Sequence, residues 1–108
     1  MKINILGQEY EILKGSNKDY PKLKSASAMG LAELYSKKLI INTDASTVDD
    51  ETHEMLEEYE KKVIRHEVMH AFFHESGATV LGQDEDLVEW LAQMLPKITK
   101  TMASSGLL

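Results

Sequence analysis

Residues 66–70 read His-Glu-Val-Met-His, inside the stretch VIRHEVMHAFFHESG that spans positions 63 to 77. On a helix, residues four apart project from one face with their Cβ atoms about 6 Å apart. Two imidazoles at that spacing can converge on one ion at Zn–N distances of about 2.0–2.1 Å. Glu67 is turned about 100° from His66 around the axis. It therefore misses the ion but reaches a water on the ion's open side. Zinc lowers the pKa of such a water to about 7, and a neighbouring carboxylate can take its proton as it attacks a polarised carbonyl. The flanking Val63, Ile64, Val68, Met69, Ala71 and Phe72 are uncharged, the dry surround that a catalytic metal uses. An imidazole buried on such a face without a partner is costly. The pattern thus favours His66 and His70 as metal ligands over core histidines.

A catalytic zinc site ordinarily has three protein ligands, so one is missing from the motif. The extended metzincin pattern requires Gly and His where this chain has Phe73 and Ser76, which excludes that class. His74 would lie about 12 Å from His66 along a regular helix. It suits the helix C-terminus, where positive charge is favoured. His53 reads as surface. The acidic residues of EDLVEWLAQMLPKI and the Asp84 before it are the remaining candidates. Asp84 and Asp86 suit the start of a helix. Glu85 and Glu89 are four apart and share a face, so one can bind the ion while the other holds the second ring nitrogen of a ligand histidine.

The elements that must position these groups read as follows. Residues 2 to 14 alternate as a hairpin, with Ile3 and Ile5 against Tyr10 and Ile12 and a turn at Gly7-Gln8. Residues 15 to 29 read as loop. A second hairpin spans Leu31 to Asn42 and turns at Ser36, Lys37 and Lys38. From Asp49 or Asp50 to Glu75 the apolar period becomes helical. Leu56, Tyr59, Val63 and His70 form one stripe, the acidic run DDETHE opens the helix, and Ser76-Gly77 stops it. Its last turns, with Val68, Met69, Ala71, Phe72 and Phe73, are apolar nearly all round, which predicts burial nearly all round. A shorter helix runs from Glu85 to Leu95, burying Leu87, Val88, Leu91, Met94 and Leu95. Pro96 is expected to end it. The expectation is one domain over residues 1–98 with a flexible tail over 99–108.

Composition narrows the rest. The chain has 108 residues, 43% hydrophobic and 28% charged, with Lys plus Arg at 12 and Asp plus Glu at 18, for a formal charge of −6. That suits one soluble core and disfavours nucleic acid, whose phosphates need clustered cations. The basic Lys18–Lys24 region reads as a solvated loop. There is no cysteine, which removes disulfides, thiolate catalysis and Cys-type zinc sites. The opening apolar run is too short for a signal peptide, and no window approaches the apolar length of a membrane span. The default expectations are the cytoplasm and a monomer.

VIRHEVMHAFFHESG followed closely by EDLVEWLAQMLPKI resembles the small zincin-like metallopeptidases of phages and mobile elements, grouped loosely with the ImmA/IrrE type. ILGQEYEI and GLAELYSKKLIIN resemble that family's leading strands, so the likeness covers most of the chain. It implies a compact α+β minimal zincin fold. In it the two β-hairpins form a small sheet packed on the long motif helix, with the shorter C-terminal helix crossing beneath. It also implies Glu85 as the third ligand and Glu89, in the gluzincin manner, as the orienter of a histidine. Glu89 departs from the more usual Asp or Asn there. Trp90 and Tyr35 would be core or rim residues, with no catalytic role assigned to either; Tyr35 is the candidate oxyanion donor.

The function expected is that of a zinc-dependent metallopeptidase. It would hydrolyse a protein or peptide substrate, such as a repressor or other regulator, with Glu67 as catalytic base. The competing expectation is a metal-stabilised interaction module that does not turn over. A DNA-binding regulator would need a basic recognition helix, which the sequence lacks.

Overall fold

A computed structural model describes residues 1–44 and 53–108, with side chains in the second stretch from residue 57 onward. The expected helix start at Asp49 or Asp50, the DDETHE run, His53 as a surface residue and Leu56 on the stripe fall outside the described side chains. The architecture is α+β. Strands β1 (Lys2–Ile5), β2 (Gln8–Gly15), β3 (Gly30–Glu33) and β4 (Lys38–Asn42) form one mixed sheet. They are joined by helices α1 (Pro21–Ser25), α2 (His53–Glu75) and α3 (Glu85–Ser104), with a short 3₁₀ turn at Leu81–Gln83. The strand order is β1-β2-β4-β3. β1 and β2 form one antiparallel hairpin and β3 and β4 the other, and β2 pairs with β4 in parallel, Ile12 opposite Leu39.

The first turn sits one residue earlier than its glycine suggests. Ile5 pairs with Gln8, and the two turn residues are Leu6 (φ 50°) and Gly7 (φ 89°), the φ values of a type I′ turn. Gly7 supplies positive φ at little cost. Leu6 takes it under constraint, and the Asn4 Oδ1 accepts the Gly7 N–H at 2.9 Å. In the second hairpin Lys37 (φ 59°) turns, while Lys38 already pairs with Glu33 in the sheet.

One face of the sheet meets α2. Ile5, Tyr10 and Ile12 from the first hairpin and Leu39 and Ile41 from β4 bury against Val63 and Ala71. The period-2 alternation of β1 and β2 thus resolves into a single apolar layer. In β4, Ile40 is buried as well, because the crossover covers the other face. The stretch expected to be loop carries helix α1, started by Pro21, whose fixed φ suits a first helical position. Tyr20, Pro21 and Ile40 line one small pocket there. Gly15 belongs to β2, and a Cβ on it would lie 2.2 Å from the Tyr20 ring.

Among the described side chains of α2 the fully buried ones are Val63, Glu67 and Ala71, spaced four apart on one line. The deepest line therefore includes the motif's acid, while its histidines flank it half-buried. Val68, Met69, Phe72 and Phe73 are half-buried rather than enclosed, since the sheet covers one side and α3 only part of the other. Helix α2 stops where expected, with Gly77 at φ 83°.

The clearest departure lies in α3, which passes through Pro96 to Ser104. Residues 99–104 of the expected tail are thus helical. An interior proline removes the hydrogen bond to the carbonyl four residues back. That carbonyl belongs to Ala92, and Arg65 Nε of α2 donates to it at 2.8 Å. A tertiary contact replaces the lost helical bond. Only Val88 and Ala92 of α3 are fully buried; Leu87, Leu91, Met94 and Leu95 are half-buried. Neither Trp90 (54% exposed) nor Tyr35 (94%) is a core residue. No helix among the described residues is long and apolar enough to cross a membrane.

Candidate metal centre

His66 and His70 lie one turn apart on α2, on the side facing α3. Their partners on α3 descend in number as α2 ascends: Lys62 and His66 meet Glu89, and His70 meets Glu85. The two helices therefore run antiparallel here, joined by the short 76–84 connection that holds the 3₁₀ turn. Asp84 caps α3, its Oδ1 accepting the Leu87 N–H at 3.1 Å. The cap fixes where the first turn begins, and so which way Glu85 and Glu89 point. Asp84 and Asp86 stay at the helix start, outside the cluster.

The hydrogen bonds assign the imidazole protons. His70 Nδ1 lies 2.8 Å from the Gly82 carbonyl, which can only accept, so Nδ1 carries the hydrogen. His66 Nδ1 lies 2.7 Å from Glu89 Oε2 and donates to that carboxylate. In the neutral rings both Nε2 atoms are then lone pairs. They stand 3.2 Å apart. Glu85 Oε2 lies 3.0 Å from one and Glu85 Oε1 3.0 Å from the other. Acceptors thus converge on a common point, and only added protons or a cation relieves their repulsion. A cation fits the spacing: two donor atoms each about 2.05 Å from a tetrahedral centre lie about 3.3 Å apart. His66, His70 and Glu85 could together hold a metal ion, their ligand atoms lying within 4.8 Å of one another. The Glu85 side chain is 68% exposed, which leaves the cluster open on one side.

Glu89 sits behind His66 rather than in the cluster. Its Oε1 takes the Gln93 amide at 2.9 Å and the Lys62 ammonium at 3.3 Å. Burial works against its charge, but hydrogen bonds from Gln93, His66 and Lys62 outweigh it and hold the carboxyl below the ordinary range. An anionic carboxylate on Nδ1 fixes the ring and raises its basicity as a ligand. Lys62, Gln93 and the Gly82 carbonyl escaped the sequence reading. Lys62 and Gln93 carry a trace of a signal, lying four residues from His66 and Glu89 respectively. A carbonyl carries none.

Glu67 is 5% exposed. Burial pushes its carboxyl up to about 7; His66 opposes the shift, and Glu85 and Glu89 add to it. Gly30 of β3 makes room for this side chain, since a Cβ there would lie 2.9 Å from Val63 Cγ1 and 3.1 Å from Glu67 Cγ. A cleft of about 520 Å³ opens over Glu67, His66 and His70, walled by Ala28, Gly30 and Ala32 on the sheet side. β3 is the outer strand of the sheet at this point. His74 lies outside the cluster, edge-on to Tyr35 at 5.7 Å between ring centroids. No protein-family model, curated protein or solved structure matches the chain.

Proposed function

We propose that the chain is a zinc-dependent metallopeptidase that hydrolyses peptide bonds of a protein substrate, with His66, His70 and Glu85 as ligands and Glu67 as general base. The observation that carries this reading is the convergence of both Nε2 lone pairs and the Glu85 carboxylate on one point, beside the buried carboxyl of Glu67. A ligand set of two histidines and a carboxylate commonly selects zinc. Bound there, zinc supplies Lewis acidity that polarises a carbonyl and acidifies water. The rest falls to the chain's own groups. Glu67, buried beside the two histidines, accepts a proton from the attacking water and returns it to the departing amine, as a general base and then a general acid. Glu89 keeps His66 in the tautomer that leaves Nε2 free. The outer edge of β3 offers backbone groups to an extended peptide, which would lie along the cleft as an added strand.

Elemental analysis of purified protein should find about one zinc per chain, and proteolysis of an unbiased substrate mixture should stop in Glu67→Gln. Absence of bound metal, or cleavage that survives the substitution, would remove the reading. Zinc that raises the melting temperature without any cleavage would leave a metal-stabilised interaction module instead.

A further inference from the structure

We propose that Arg65 is a positioning residue for the metal centre, acting through the Ala92 carbonyl that Pro96 leaves without a helical partner; this rests on the metal-centre reading above. In an uninterrupted helix the N–H of residue 96 would engage the Ala92 oxygen. Proline has no N–H, and its ring crowds the same carbonyl. Ala92 is fully buried, so water does not easily replace the lost donor, and a buried carbonyl without a partner is destabilising. Arg65 Nε supplies the donor at 2.8 Å.

The position of this bond gives it a second consequence. Arg65 immediately precedes His66, and Ala92 lies one turn beyond Glu89. The bond therefore pins α3 to α2 beside the contact between His66 Nδ1 and Glu89 Oε2. A slide of α3 along its axis is the motion that would carry Glu85 away from both Nε2 atoms. Apolar packing resists such a slide poorly, because only Val88 and Ala92 of α3 are fully buried. A directional hydrogen bond to a single carbonyl resists it well. Pro96 keeps that carbonyl free for Arg65 by withholding the competing helical donor.

The test compares the protein with Arg65→Met, Pro96→Ala and the double variant. Zinc affinity is read by competition with a chromophoric chelator, and melting temperature is read on the metal-free form. Arg65→Met should lower the melting temperature and loosen zinc about tenfold, the scale seen when groups supporting metal ligands are removed. Adding Pro96→Ala should recover the melting temperature, since Ala92 regains a helical donor, but not the zinc affinity. Unchanged affinity in Arg65→Met would overturn the proposal. So would affinity that recovers together with the melting temperature, because Arg65 would then serve only to satisfy a carbonyl. Should Arg65→Met alone fail to fold, the double variant measured against the parent protein gives the comparison, since its Ala92 carbonyl has a helical donor while the tie to α2 is lost: zinc affinity about tenfold weaker supports the proposal, and unchanged affinity overturns it. A wild-type protein that binds no zinc would instead sink the metal-centre reading itself.

Discussion

Replacing Glu67 with glutamine should abolish the proposed hydrolysis while making the metal-free protein more stable above neutral pH. Glu67 is buried on the central line of α2, and burial raises its carboxyl from an ordinary 4.5 to about 7. The folded chain therefore binds this proton more tightly than the unfolded chain. The stabilisation that goes with the proton is complete below 4.5 and is lost as pH rises through 7. Above that, folding requires an anion to be held out of water. At about 1.4 kcal/mol for each tenfold in proton affinity, the interval from 4.5 to about 7 amounts to about 3 kcal/mol at pH 8. Glutamine has a similar shape and never ionises. In urea denaturation of chelator-treated protein, Glu67→Gln should match the parent near pH 4 to 5 and exceed it by about 3 kcal/mol at pH 8. Zinc should shrink that gain, since the cation offsets the buried charge. A variant equal to or weaker than the parent at pH 8, or a difference that ignores pH, would refute the claim that burial acts on this carboxyl.

Three further outcomes are expected. Zinc at a hundredfold excess over its dissociation constant should stabilise the fold by about 2.7 kcal/mol, seen in thermal melting as a rise of about 10 °C that a chelator reverses; no rise would count against a preformed site. Gly30→Ala places a Cβ 2.9 Å from Val63 Cγ1 and 3.1 Å from Glu67 Cγ, which should destabilise by roughly 1–3 kcal/mol through overpacking and cut turnover by shifting Glu67, measurable by melting and peptide cleavage together. Tyr10→Phe removes the 2.8 Å hydrogen bond to Glu75 and should cost about 1–2 kcal/mol. The Lys37 ammonium, then the Tyr10 hydroxyl, hold the Glu75 carboxyl below its ordinary 4.5, so its contribution is present above that pH and is lost as pH falls through the lowered value. Acid denaturation should accordingly begin at higher pH in the variant.

Much of this arrangement was legible in the residues. Alternation at Ile3, Ile5, Tyr10 and Ile12 gave the first hairpin, and KLIIN gave the inner strand of the second. Period and the Ser76-Gly77 stop gave α2. The four-residue steps from His66 to His70 and from Glu85 to Glu89 brought out the groups that meet. What stayed hidden depended on partners distant in the chain. Local rules end a helix at Pro96, and nothing near that residue announces that Arg65 would supply the missing donor. The run 15–29 looked irregular because its only helix is α1, a short one lying on the face of the sheet that carries Ile40. The histidines read as the inward residues because apolar neighbours surround them, yet Glu67 lies deeper; that order follows from Gly30 and the close approach of β3. Trp90, which the resemblance left as core or rim, is 54% exposed and so lies at the surface.

Helix α3 packs chiefly on α2 and the 3₁₀ turn, and beside its apolar face it is tied there by polar groups: the Ala92 carbonyl, Glu89 and Glu85. An ion held between the two helices would add a clasp at the first turn of α3, beyond the Arg65 bond and the packing of Val88 and Ala92. Glu85, whose side chain is 68% exposed, is the attachment of α3 that would depend most on that clasp, since local opening starts where burial is least. Metal supply would then set how firmly the entrance of the cleft is held, with the packing beneath it unchanged.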